Sequence, residues 1–160
     1  MSDFSETWAL VRGRFEKALE GMDQRQLNWR IHPDTLTLGE MAIHVAGAEV
    51  NFISQLLDTP LDEYHQRLKA ASTAGIINDD PFPFSPEEIT PESVRAALDA
   101  GKAMCEPIIT NTPDAVRKKQ IVSVLGPVID GTGALARLAY HPGYHQGQAH
   151  MIKSAPGFPR

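Results

Sequence analysis

The whole chain holds one cysteine, Cys105. No internal disulfide can form, and the cytosol is the expected compartment. Long apolar runs are missing too, and none approaches the length of a membrane span. Positive charge is the scarcer sign: 15 Lys and Arg stand against 20 Asp and Glu, for a net charge of −5. That balance argues against a nucleic-acid or anionic-membrane partner. The opening stretch Met1-Ser2-Asp3-Phe4-Ser5-Glu6 is polar and acidic, unlike a secretory leader. Internal repeats and low-complexity tracts are not seen. A chain of 160 residues is long enough to bury a core without cross-links, and a single domain over 1–160 is expected.

What is present is helical patterning. Four segments carry apolar stripes with alternating steps of four and three, as amphipathic helices do. The first runs roughly from Phe4 to Met22, with Phe4, Trp8, Val11, Phe15, Ala18 and Met22 on the stripe. The second opens at Thr37-Leu38-Gly39-Glu40, a capping box in which hydroxyl and carboxylate each satisfy a free backbone N–H. Its stripe is Leu38, Met41, Val45, Ala48 and Phe52. The third begins at Thr90-Pro91-Glu92, a capping residue followed by proline at the first helical position. Val94, Leu98, Gly101, Cys105 and Ile108 form its stripe. The fourth starts near Thr132 and carries Ala134, Leu138, His141, His145, Gln148 and Ile152.

The connections are unequal. Met22 to Thr37 is a short turn marked by Trp29 and Pro33. Asp58 to Thr90 is a long crossover containing Pro81, Pro83 and Pro86, with room for one short helix around Leu61, Tyr64 and Leu68. Such a crossover lets helices two and three run parallel. Gln120 to Leu125 is rich in β-branched residues and ends at Gly126-Pro127, which suits an extended segment or small hairpin. The expected class is all-α: a four-helix bundle with one long crossover.

The fourth stripe departs from plain core packing. His141 and His145 are four residues apart and share one helix face. His44 borders the apolar seam of the second helix, followed by Ala46, Gly47 and Ala48. Gly143 and Gly147 flank His145. If these small residues let helices two and four meet, the three imidazoles converge. Three imidazoles on one metal leave coordination positions open, as catalytic sites do. Imidazole suits zinc, nickel, iron and copper alike, so the donor set does not choose among them. The bland alternative is a hydrogen-bonded core histidine. Pro142 removes one backbone hydrogen bond and is expected to kink or bulge the fourth helix at this point.

Three elements resemble the DinB-like (DinB/YfiT-like) family of metal-dependent bundle proteins. Leu36-Thr37-Leu38-Gly39-Glu40-Met41-Ala42-Ile43-His44 is similar to the family's S-x-G-E-x-x-x-H pattern. His141-Pro142-Gly143-Tyr144-His145-Gln146-Gly147-Gln148 is similar to its H-x-x-x-H-[RQ]-G-Q. Leu27-Asn28-Trp29-Arg30 stands where the family often has L-x-W-R. The order and gaps match over nearly the whole chain. Gln146 stands where arginine is common, and Pro142 sits inside the motif as in some relatives. The resemblance implies a homodimeric four-helix bundle whose metal is held by His44, His141 and His145. Zinc and nickel are the metals it most often implies, with iron or manganese as further options. It also implies thiol-dependent transferase or isomerase chemistry with a low-molecular-weight thiol such as bacillithiol, mycothiol or glutathione.

Other residues are read more plainly. Gln148 suits a partner for a ligating ring or a helix–helix hydrogen bond. Glu40 caps its helix, and Glu49 is expected to face solvent. Trp29 reads as a packing anchor beside His32; His65 and His150 as exposed; Cys105 as buried and unreactive. Tyr140 and Tyr144 flank the histidines. The leading functional expectation is thiol transfer to a small electrophile, with metal-assisted hydrolysis as the nearest variant. The alternative is a non-catalytic, metal-binding or stress-related dimeric bundle.

Overall fold

The computed structural model describes residues 4–160; Met1–Asp3, part of the polar opening stretch, lie outside it. Helix α1 (Ser5–Leu19) buries Ser5, Trp8, Arg12, Phe15 and Leu19. The expected stripe is thus rotated slightly. Val11 and Ala18 are only partly buried, and Arg12 takes the inward place because a buried carboxylate awaits it. Met22 is buried just beyond the helix. One turn, α2 (Gln24–Leu27), follows under an Asp23–Gln26 capping box.

Helix α3 (Leu38–Leu57) starts at the Thr37–Glu40 capping box, as the sequence predicts. Such a cap contributes about 1 kcal/mol. Eighteen of its residues are buried, including Gly39, Gly47 and Asn51. A helix covered on every side is the centre of its fold rather than a surface rod. Asp58 ends it in the left-handed region, at φ 50°.

The long crossover contains α4 (Glu63–Ala71), which matches the short helix expected there. Helix α5 (Pro91–Thr110) begins behind the Thr90 cap, with proline at its start. Two short helices were not foreseen, the one-turn α2 and α6 (Asp114–Lys118), while the β-branched segment takes the hairpin option. Strands β1 (Gln120–Val122) and β2 (Val128–Asp130) form an antiparallel hairpin with Ile121 opposite Ile129. Helix α7 (Gly131–Ser154) then runs without interruption through Pro142. The described chain is therefore mostly helical, with one small hairpin.

Contacts set the helix directions. Gly39 lies against Ile89 just ahead of α5, and Ala46 against Gly101, so α3 and α5 run the same way. Val11 abuts Gly143, and Lys153 donates to the Ala18 carbonyl at 2.6 Å, so α1 and α7 also run together. Along α3, His44 meets His141 and His145, while Met41 shares a groove with Ile152. That order makes α7 antiparallel to α3.

The small residues near the histidines serve other contacts than expected. A Cβ on Gly47 would stand 2.1 Å from the Leu68 carbonyl oxygen of α4. Gly143 accommodates Val11 of α1, and Gly147 has nothing within 4 Å. The α3–α7 meeting therefore does not depend on a shared small-residue seam. Among the described residues, no helix is long and apolar enough to cross a membrane.

Candidate metal centre

Three histidines come together where α3 and α7 meet. His44 Nε2 lies 3.0 Å from His141 Nε2, and His145 Nε2 lies 3.0 Å from the same atom. All three ligand atoms fall within 4.8 Å of one another. The four-residue spacing on α7 survives Pro142, because the helix continues through it and both rings still face α3.

The outer nitrogens fix the tautomers of two rings. His44 Nδ1 lies 3.1 Å from the Ala71 carbonyl oxygen at the end of α4. A carbonyl only accepts, so Nδ1 carries the proton and donates. His145 Nδ1 lies 2.7 Å from Gln148 Oε1. The Gln148 amide is oriented in turn, because its Nε2 donates to the Tyr144 hydroxyl at 3.0 Å. His145 Nδ1 is therefore also the donor. In both rings Nε2 is left as a bare lone pair.

Those lone pairs point at one atom, His141 Nε2. A neutral His141 brings at most one proton there, and that proton cannot lie along both 3.0 Å lines. Nitrogens bound at zinc distances around a tetrahedral ion would stand about 3.3 Å apart. The spacing and the donor set fit a shared divalent cation. Outer N–H groups given to a carbonyl and an amide oxygen are what ligating histidines normally show.

Burial prepares these rings for that role. His145 is pushed down to about 3 by desolvation and by His44, against a small opposing effect of Gln148. Desolvation, then His145 and His44, hold His141 well below its ordinary value. Desolvation lowers His44, with the Ala71 carbonyl opposing. The rings are thus neutral near pH 7, the form a metal needs.

Glu49 corrects an expectation. It is 1% exposed, not turned to solvent. Trp8 Nε1 donates to its Oε1 at 3.0 Å, and Arg12 donates to both oxygens, at 2.9 and 3.2 Å. Burial pushes the Glu49 carboxyl up, while Arg12 and Trp8 pull it back. This group braces the core and does not reach the histidines by any hydrogen bond described.

The remaining candidates divide clearly. Glu40 accepts from the Thr37 amide at 2.7 Å and from Arg30 at 2.6 Å, so its oxygens are engaged. Cys105 is buried, and desolvation raises its thiol well above the ordinary value, which makes it inert. Trp29 packs edge-on to Phe158 with centroids 5.5 Å apart. His32 and His150 are exposed, whereas His65 is half-buried and bonded to Asp62 at 2.8 Å. Tyr144 stacks edge-on to His145 at 5.0 Å, while Tyr140 is turned outward.

Sequence reasoning missed the Ala71 carbonyl, because a backbone acceptor leaves no side-chain signal. It also missed the Tyr144–Gln148 bond, although an i, i+4 spacing was there to find it.

The model of the DinB superfamily matches residues 7–149. A crystal structure described as a conserved protein from Enterococcus faecalis superposes with a TM-score of 0.69. It shares 18% sequence identity and covers 96% of each chain, a likeness of fold. No curated protein matches this chain.

Proposed function

Since the chain belongs to the DinB superfamily, we propose that it is a metal-dependent enzyme with one catalytic centre. Residues 1–160 make a single DinB-like domain in this reading, with α1, α3, α5 and α7 as a four-helix bundle and 58–90 as its crossover. His44, His141 and His145 hold one divalent ion, zinc or nickel in preference to iron or manganese. The observation that carries this reading is the meeting of Nε2 atoms at 3.0 Å, with two outer N–H groups already donated.

The reaction proposed is thiol transfer. A low-molecular-weight thiol and a small electrophile give a thioether, and the electrophile's leaving group departs with the thiol proton. A divalent cation at this centre supplies Lewis acidity that lowers the pKa of a bound thiol or water. The protein's own residues do the rest. Ala71 and Gln148 fix two rings in the tautomer that presents Nε2. Burial keeps all three rings neutral, so no imidazolium charge opposes a cation at the cluster. A cytosolic homodimer is the assembly that accompanies this reading.

The test is elemental analysis of untagged protein, followed by conjugation assays with several thiols. Stoichiometric metal that disappears in His44→Ala, with the fold retained, is the expected result. Stoichiometric metal without turnover on any thiol would remove the transferase and leave a metal-binding bundle. Absence of metal after loading with zinc or nickel would remove the centre itself.

A further inference from the structure

Beside His145 the surface opens into a groove of about 630 Å³. That volume lies within the ~300–1,000 Å³ typical of small-molecule sites. Four separate segments converge on it. Ile31 and Leu36 come from the stretch ahead of α3, Met41 from α3, Ile76 from the stretch after α4, and Met151 and Ile152 from α7. Ile31, Ile76 and Met151 are exposed, an unusual placement for such side chains together. The uncharged polar residues Thr35, Tyr144 and Gln148 line the same space beside His145.

The charge of the lining is the decisive feature. Among the described residues that line it, none is lysine or arginine. Asp34, its carboxylate, is 88% exposed at the rim. Arg30 borders the adjoining cavity and is already committed to Glu40 and to the Thr35 carbonyl. An anion placed here would lose water and gain no cationic side chain, and it would meet a carboxylate at the mouth. An uncharged hydrocarbon or aromatic body would meet isoleucine, leucine and methionine.

We propose that this groove binds a neutral, apolar organic molecule and seats it against His145. Calling that molecule the electrophile of the thiol transfer rests on the metal-centre reading. The preference for a neutral, apolar ligand rests on the lining alone. The groove is concave and ends at a histidine of the cluster, which favours a small ligand over a second copy of the chain.

The experiment uses two fluorescent probes that share one skeleton. N-phenyl-1-naphthylamine is neutral, and 8-anilino-1-naphthalenesulfonate carries a sulfonate. Each is titrated into the full chain, metal-free and metal-loaded, with bound metal measured on the same samples. The neutral probe should bind at least tenfold more tightly. Met151→Glu should weaken it tenfold or more, while Leu10→Glu, exposed on α1 outside the groove, should leave it unchanged. Ile76→Lys should shift the preference toward the sulfonate. Circular dichroism melting confirms that the variants fold.

Equal or tighter binding of the sulfonate by the unmodified chain would overturn the proposal, as would indifference to Met151→Glu. A groove that binds the neutral probe only after Met151→Glu has broken a dimer would be a contact between copies, and the proposal would fall. Discrimination between probes in protein that takes up no metal would uphold the groove's chemistry and refute the metal centre. Stoichiometric metal without discrimination would do the reverse.

Discussion

His145 and Gln148 are joined by a 2.7 Å hydrogen bond between Nδ1 and Oε1, one helical turn apart on α7. The bond decides which nitrogen of the ring faces the cluster. Tyr144 holds the amide from its other end.

Removing the acceptor should therefore loosen the ring without disturbing the core, since Gln148 is only partly buried. Gln148→Leu is expected to weaken metal affinity about 10- to 100-fold, the usual effect of losing an outer partner of a ligating histidine. Gln148→Glu keeps an acceptor and should keep most of the affinity. Competition against a chromophoric chelator measures both. Equal affinity in the leucine variant and the parent would show that the amide plays no orienting part.

The Arg12–Glu49 pair gives a second expectation. Both side chains are almost fully buried, at 2% and 1% exposure. Arg12 also donates to the Leu98 carbonyl at 2.8 Å and to Glu16 at 2.6 Å. Burying one partner alone leaves a charge without compensation. Arg12→Met should cost about 3–5 kcal/mol. Replacing both residues with methionine should cost less than the sum of the single losses, because neither charge is then stranded. Urea denaturation of the four proteins tests this. Strict additivity would mean that the two groups act independently.

The same pair shows where sequence reading reaches its limit. The capping box of α3 and the cap of α5 could be read because a cap is local: Thr37 with Glu40, and Thr90 ahead of Pro91. The histidines could be read because helical periodicity puts His141 over His145, and the second-helix motif supplies His44. Glu49 could not. Its partners Trp8 and Arg12 lie 41 and 37 residues away, and a lone carboxylate on a helix ordinarily faces water. The hairpin could be read only as one of two options, because its second strand, Val128 to Asp130, is three residues long and too short for alternation to register.

Two glycines should respond oppositely to the same change. A Cβ on Gly47 would meet the Leu68 carbonyl oxygen at 2.1 Å, and backbone cannot swing aside as a flexible side chain would. Gly47→Ala should push α3 and α4 apart and cost about 1–3 kcal/mol. Gly13 lies inside α1 with nothing within 4 Å of the added atom. Gly13→Ala should stabilise by roughly 0.5–1 kcal/mol, because alanine restricts the unfolded chain and suits a helix. Thermal melts would expose an error as two shifts of the same sign.

Acid should weaken the metal-free protein through its histidines. An unfolded histidine takes up a proton near pH 6.5, whereas folded His145 resists until about 3. Between those values the unfolded chain carries the extra proton, so stability falls as pH drops through that window. At pH 5 the loss attributable to His145 is about 2 kcal/mol. His44 and His141 are lowered as well and act in the same direction. His145→Asn removes the group and should shrink the loss between pH 7 and pH 5 by about that amount. Denaturant titrations at the two pH values give the double difference directly. An unchanged difference in the variant would mean that His145 is already protonated in the fold at pH 5. Its ring would then be a poor lone-pair donor, and a metal at this centre would have to displace a proton to bind.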